Sequence, residues 1–166
     1  MYLNLQLSSL ALCIFFIGCG EKKSKATTEN SKSGISSGHL IPGISQEIYT
    51  KLLDSCSNID YIFHDLPFSL SQSDDPDINQ NIMFIDINKP VGQLVPGCKP
   101  IARKFFQIKG NIVYDADVYL SDKCNFYVFV DKSNKPIFAN QMTETGRNFY
   151  NNIIRQVTGA TSTGTQ

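Results

Sequence analysis

The sequence predicts a small α+β domain: an antiparallel β-meander of about four strands, with an N-terminal helical segment and a C-terminal helix packed on it. Three observations carry this prediction. From Ile101 onward, four runs rich in β-branched and aromatic residues follow one another: IARKFFQI, NIVYDADVYL, NFYVFV and PIFANQ. Short, turn-rich links join them: Lys109-Gly110, Ser121 to Cys124, and Asp131 to Lys135. Links of that length favour antiparallel neighbours, because parallel strands need a long crossover. On either side of this block stand segments whose apolar residues repeat at helical spacing, so helices and strands are segregated along the chain.

Before the meander, Ser45 precedes QEIYTKLLDSC, where Ile48, Tyr49, Leu52, Leu53 and Cys56 fall on one helical face. Ser45 is placed to cap the first turn, Glu47 suits the helix dipole, and Ile44 and Tyr49 stand at hydrophobic-staple positions. A short strand, Ile59 to His64, is expected next. Leu66 to Gln72 reads as irregular because Pro67 breaks it. Asp75-Pro76 reads as an N-cap and first helical position, opening a short helix through about Ile85. Lys89 to Pro100 holds three prolines and two glycines and is expected to be a loop. Within the meander, a two-residue turn at Lys109-Gly110 sets Lys104 opposite Asp115 and Phe106 opposite Val113, one opposite-charge pair and one apolar pair. After Met142, Thr143 or Thr145 caps a last helix carrying Phe149, Tyr150, Ile153, Ile154 and Val157 on one stripe. The domain is expected to span 39–158, with GATSTGTQ (159–166) as a frayed tail.

The N-terminal part is of a different kind. The first 19 residues contain no Asp, Glu, Lys or Arg, and Leu10 to Ile17 is an unbroken apolar run. Such a run is too short to span a bilayer, which takes about 20 apolar residues, but it suits the core of a signal peptide. It ends in Phe16-Ile17-Gly18-Cys19, and a small residue before cysteine resembles the lipobox cut by lipoprotein signal peptidase. Residues 1–18 are therefore expected to be a signal peptide and Cys19 the lipidation site, carrying palmitate-type acyl chains. Two chains on one residue suffice for stable anchoring, at about 0.8 kcal/mol per buried methylene. Gly20 to Gly38, GEKKSKATTENSKSGISSG, has Ile35 as its only large apolar residue. It cannot bury enough surface to offset its ordering entropy, so 19–38 reads as a lipidated cysteine and disordered tether.

Charge narrows the function classes. The chain has 15 basic and 15 acidic residues and a formal net charge of zero. Lys22, Lys23, Lys25 and Lys32 against Glu21 and Glu29 leave the tether slightly basic and the domain slightly acidic. A domain so close to neutral has no field for gripping a phosphate backbone, so nucleic acid is not an expected partner.

Few residues suggest chemistry. Three cysteines follow Cys19: Cys56, Cys98 and Cys124. In the hairpin register Cys98 lies opposite Ser121, and Cys124 closes the turn that Ser121 begins, so Cys98 and Cys124 are expected to form a disulfide. Cys56 lies on an apolar helical face and reads as a buried thiol; a Cys56–His64 catalytic pair is the sharper alternative, but it lacks a visible third member. Asp75, Asp77, Asn79, Asn81 and Asp86 match EF-hand positions 1, 3, 5, 7 and 12. Gln80 stands where the loop's glycine belongs, and an acidic helix N-terminus explains the same residues, so no metal and no cofactor are expected. Asp115 and Asp117 share a strand face, as an acid–base pair would, yet the Lys104 register makes a solvated face the simpler reading. His39 and His64 stand alone, with no zinc motif, nucleophile elbow or phosphate loop to join them. Tyr61, Phe63, Phe68, Tyr119 and Phe126 read as core rather than as a ligand platform.

The segments DYIFHDLPFSLSQ, GCKPIARKFFQIKG and DKCNFYVFVDKSNKPIFANQMTETGRNFYNNI resemble an uncharacterised lipoprotein family of Bacteroidetes-type bacteria, over roughly Cys56 to Ile154. Relatives sometimes carry the label "septum formation inhibitor Maf". Maf proteins proper are cytoplasmic nucleotide pyrophosphatases with a Ser-Pro-Arg-Arg type motif near the N-terminus, and nothing here matches it. The resemblance implies an envelope lipoprotein and supplies no catalytic residue.

Together these readings predict a cell-envelope lipoprotein, anchored to the outer membrane (periplasmic or surface face) or to the outer leaflet of the inner membrane. Its partners would be the membrane, through lipid, and an envelope protein bound or supported by a non-enzymatic domain. The alternatives are an envelope hydrolase using Asp or His residues, and a small-ligand or metal-binding lipoprotein resting on the Asp75 to Asp86 segment.

Overall fold

The structure, a computed structural model, describes residues 40–162. Residues 1–39 and 163–166 lie outside it, and with them the expected signal peptide, Cys19, the tether and His39. Three helices and seven strands follow in the order α1 (Gln46–Ser55), β1 (Asn58–Phe63), β2 (Ser69–Gln72), α2 (Asp75–Ile82), β3 (Ile85–Pro90), β4 (Pro100–Ile108), β5 (Asn111–Leu120), β6 (Asn125–Val130), β7 (Pro136–Met142) and α3 (Glu144–Ser162). The strands form one sheet in the order β2-β1-β4-β5-β6-β7-β3, antiparallel at every pairing. The α+β class is as the pattern predicts. The strand number is not: seven strands replace about four, because β1, β2 and β3 join the meander at its two edges.

The additional strands have local causes. Phe68 stacks on Phe63 with ring centroids 4.6 Å apart, which folds the segment after Pro67 back along β1. Leu70 then pairs with Tyr61 and Ser71 with Asp60, so the tail of the expected irregular segment is β2. Helix α2 opens one residue earlier than expected, with Asp74 at the N-cap, and stops at Ile82 rather than near Ile85. Phe84 and Ile85 then enter the core instead of continuing the helix, and β3 runs beside β7. Pro90 ends this strand at the sheet edge, where a residue without an N–H is tolerated.

The β3–β7 register shifts between Ile85↔Met142 and Pro90↔Asn140. The fully buried Asn140 side chain fills the gap. Its Nδ2 donates to the carbonyls of Asp86 (3.1 Å) and Ile87 (3.5 Å), and its Oδ1 accepts from the Ile44 N–H (2.8 Å). One carboxamide thus ties the segment before α1 to both strands.

In α1, the Ser45 hydroxyl accepts from the Ile48 N–H at 3.2 Å, the capping contact that its position predicts. Ser45→Ala is expected to cost about 1 kcal/mol in urea unfolding. A loss below about 0.3 kcal/mol would show that the cap is replaced by water. At the far end, Thr143 rather than Thr145 caps α3, its hydroxyl accepting from the Gly146 N–H at 3.2 Å. A Cβ on Gly146 would fall 2.8 Å from the Phe84 side chain, so this glycine lets α3 lie close against the start of β3. The helix runs on to Ser162, past Gly159 where the pattern predicts fraying.

All three helices pack on one face of the sheet. Leu52 of α1, Ile78 and Ile82 of α2 and Tyr150 of α3 meet Ile59, Tyr61, Phe106, Val118, Tyr127 and Phe129 in the main core. A second, smaller core lies on the opposite face over β6 and β7, where Val91 and the loop leading to Cys98 cover Phe126, Val128, Val130 and Ala139. The rest of that face, over β1, β4 and β5, carries Asp60, Arg103, Gln107, Asp115 and Asp117. Among the described residues no helix is long and apolar enough to cross a membrane.

Candidate functional site

The hairpin of β4 and β5 places the residues that matter most. Lys109 and Gly110 both take positive φ (52° and 76°), the backbone of a two-residue type I′ turn. Next to the turn the ladder follows the predicted register, with Gln107 opposite Ile112 and Ile108 opposite Asn111. An irregularity after Phe106 then shifts it by one, and a second between Pro100 and Ala102 shifts it back. Between the two, Lys104 faces Ala116 and not Asp115, which stands opposite Phe105. The predicted Lys104–Asp115 pair therefore does not form. Asp115 points to the open face and Lys104 into the core.

Lys104 is fully buried. Its Nζ donates to the Asn81 carbonyl at 3.0 Å and lies 4.8 Å from the ring centroid of Phe106, 5.3 Å from Tyr127 and 5.4 Å from Tyr61. The Asn81 carbonyl belongs to the last turn of α2, where carbonyls lack helical partners and the helix dipole favours a cation. A helix C-terminus and three aromatic faces thus surround the amine, with no carboxylate among the described residues bonded to it. Burial pushes the ammonium down to about 7, opposed by the Cys56 thiol.

Polar side chains from five elements, β1, β2, α2, β6 and α3, line this chamber. Tyr61 Oη lies between the carboxamide oxygens of Gln72 (2.9 Å) and Asn81, its single proton shared between them. Asn81 Nδ2 donates to Gln72 Oε1 at 2.6 Å, so the Asn81 side chain, like its carbonyl, is turned inward. The buried hydroxyls of Tyr127 and Tyr150 lie close enough to perturb each other, yet neither has a partner of good hydrogen-bond geometry. Burial raises all three tyrosines, Tyr61 and Tyr127 furthest, so they stay neutral across the physiological range. Cys56, buried at the end of α1, donates its thiol to the Asn58 carbonyl (3.4 Å); burial raises it too. Among the described groups of this chamber, Lys104 is the one that burial brings toward neutrality.

The residues singled out by pattern fall elsewhere. Cys98 and Cys124 are bonded through their sulfurs with Cα atoms 6.0 Å apart. The pairing survives the shifted centre of the hairpin because the two irregularities cancel before Pro100, which faces Tyr119. The bridge pins the Val91–Cys98 loop over the second core. Cys56 and His64 stand at opposite ends of β1, roughly 20 Å of strand apart, and His64 is exposed with Nδ1 3.0 Å from the Pro100 carbonyl. They form no catalytic pair. Asp75 and Asp77 lie in the exposed first turn of α2 while Asn81 faces the core, so the EF-like spacing is wound around a helix. No group of acids, cysteines or histidines among the described residues is placed to hold a metal. Asp117 pairs with Arg103 at 2.8 Å, and Arg103 also reaches Asn134, which makes a structural clasp of the supposed acid–base face. Tyr61, Phe63 and Phe126 are buried and Phe68 and Tyr119 partly so, in keeping with their core reading.

The lysine chamber has a trace in the sequence. Along IARKFFQI, one parity holds Ala102, Lys104, Phe106 and Ile108, the other Ile101, Arg103, Phe105 and Gln107. The first parity is the more apolar of the two, with one polar residue against two, and it is the one that faces the core. No protein-family model, curated protein or solved structure matches the chain at a significant level.

Proposed function

We propose that this chain is a membrane-anchored envelope lipoprotein, held by lipid on Cys19, whose domain binds another protein or supports an envelope complex. The observation that carries the reading is the order of features in the sequence: an apolar run, the Gly18-Cys19 junction, a polar tether, then a patterned domain. The Cys98–Cys124 bridge agrees with a compartment outside the cytosol, where disulfides persist. The resemblance read in the sequence from about Cys56 to Ile154, to an uncharacterised lipoprotein family, implies the same setting. A binding role, rather than a catalytic one, fits the disposition of the described residues: Asp117 is held by Arg103, Asp75 and Asp77 crown a helix, and His64 is exposed on its own strand end.

Cys19→Ala is expected to abolish lipidation, since only that thiol stands at the junction. Labelling cells with a palmitate analogue tests this: label on the wild type and none on the mutant is expected, and equal label on both would refute the assignment. Co-purification of the labelled protein from native membranes is then expected to bring down one envelope protein in reproducible ratio.

A further inference from the structure

We propose that Lys104 makes the docking of α2 onto the sheet proton-dependent, so that protonation of this buried amine favours opening of α2 away from the aromatic chamber. The device does not depend on the lipid anchor. It rests on where the amine sits: fully buried, hydrogen-bonded to one carbonyl at the end of α2, faced by Tyr61, Phe106 and Tyr127, and without a carboxylate partner among the described residues. Charged groups in such a site are stabilised less than in water, and the cheapest relief is whichever movement lets water in.

Each element around the amine can be weighed for that role. β4 carries Lys104 and is paired on both sides, by β1 and β5. α3 runs from Glu144 to Ser162 and inserts Tyr150 and Phe149 among the core rings. α1 is longer than α2 and has its Ser45 cap. By contrast α2 spans only Asp75–Ile82, its N-cap Asp74 makes no side-chain capping bond, and Ile78, Asn81 and Ile82 are its buried anchors. Displacing α2 removes the carbonyl to which Lys104 donates and opens the chamber on the side held by Ile78, Asn81 and Ile82.

The titratable groups facing Lys104 leave it as the operating proton. Tyr61 comes from β1, Tyr127 from β6, Tyr150 from α3 and Cys56 from the end of α1; burial raises all four, so they remain neutral below pH ~8.5. From α2, Asp77 is exposed and acts on Tyr61 rather than on the amine. The amine is lowered to about 7 when closed and regains its ordinary 10.5 when open. Between these values the open form binds more protons, so closure is strengthened as pH rises and weakened as it falls toward 7; below that the effect is complete. Falling pH from ~8.5 to ~6.5 is expected to raise the open population about 20-fold.

Hydrogen exchange on the full chain, corrected for intrinsic exchange rates, tests this directly. The amides of Ile78 and Met83, bonded to Asp74 and Asn79 within the helix, report α2; those of β6 report global unfolding. The expected result is that α2 opens more readily than β6, with an opening constant that rises about 20-fold over that pH interval and becomes flat in Lys104→Met. α2 and β6 exchanging together, or the same slope in the variant, would overturn the proposal. Should Lys104→Met not fold, the wild-type side chain decides. A Lys104 ε-carbon shift titrating near 7 supports the device, and one titrating at the ordinary lysine value overturns it.

Discussion

Phe129→Ala is expected to lower stability by about 3–5 kcal/mol, the range for emptying an aromatic site in a rigid core. Phe129 is fully buried on β6, next to the centre of the sheet. Its ring stacks on Phe106 at 5.8 Å and meets Tyr114 and Phe138 edge-on at 6.2 and 6.3 Å, so one side chain joins β4, β5, β6 and β7. Alanine removes the shared partner of three rings, and strands on both sides limit how far the void can close. With total stability of a domain this size on the order of 5–15 kcal/mol, the variant should be partly unfolded at growth temperature. Urea unfolding followed by far-ultraviolet circular dichroism suits a chain without tryptophan. A loss under about 1.5 kcal/mol would mean that the aromatic cluster repacks around alanine.

Removal of the Cys98–Cys124 bridge should cost about 3 kcal/mol in the chain-entropy account, given the closed loop of this size. The sulfurs join positions 26 residues apart, and the bridge lies on the face away from the helices. Val91, Phe126, Val128, Val130 and Ala139 form a small core under the covering loop, whose start is bonded to Ala139 and whose end is held by the bridge. The Cys98→Ala, Cys124→Ala double variant avoids leaving a stray thiol. It should shift the urea midpoint down and speed proteolysis within Val91–Cys98 while the helix-covered face stays intact. Unchanged stability, or cleavage spread evenly over the domain, would show that the loop is held by its apolar contacts alone.

Some of this architecture could be read from residue order and some could not. The helices α1 and α3 have apolar stripes long enough to define a face by themselves, and the four meander strands are separated by turns with recognisable chemistry. β2 follows closely on Pro67 and β3 ends in Pro90, and both are short with few apolar residues. Only the ladder to β1, which the Phe63–Phe68 stack brings alongside, and the ladder to β7 give their backbone groups partners. Edge strands of this kind are made by their neighbours, not by their own pattern.

What the sequence determined by itself about this protein is its layout: the apolar run with Gly18-Cys19, the polar segment, the α+β order and the meeting of Cys98 with Cys124. Each follows from local composition, from period, or from a turn that counts residues outward in both directions. Folding alone settled the register that takes Lys104 away from Asp115 and the polar chamber gathered around its amine. Strand register is cumulative, so a single irregularity after Phe106 moves every partner beyond it until another restores the count. The disulfide lies beyond both irregularities and was insensitive to them. Lys104 lies between them, and there one residue of slip separates an exposed ion pair with Asp115 from an amine enclosed by tyrosines and the end of a helix.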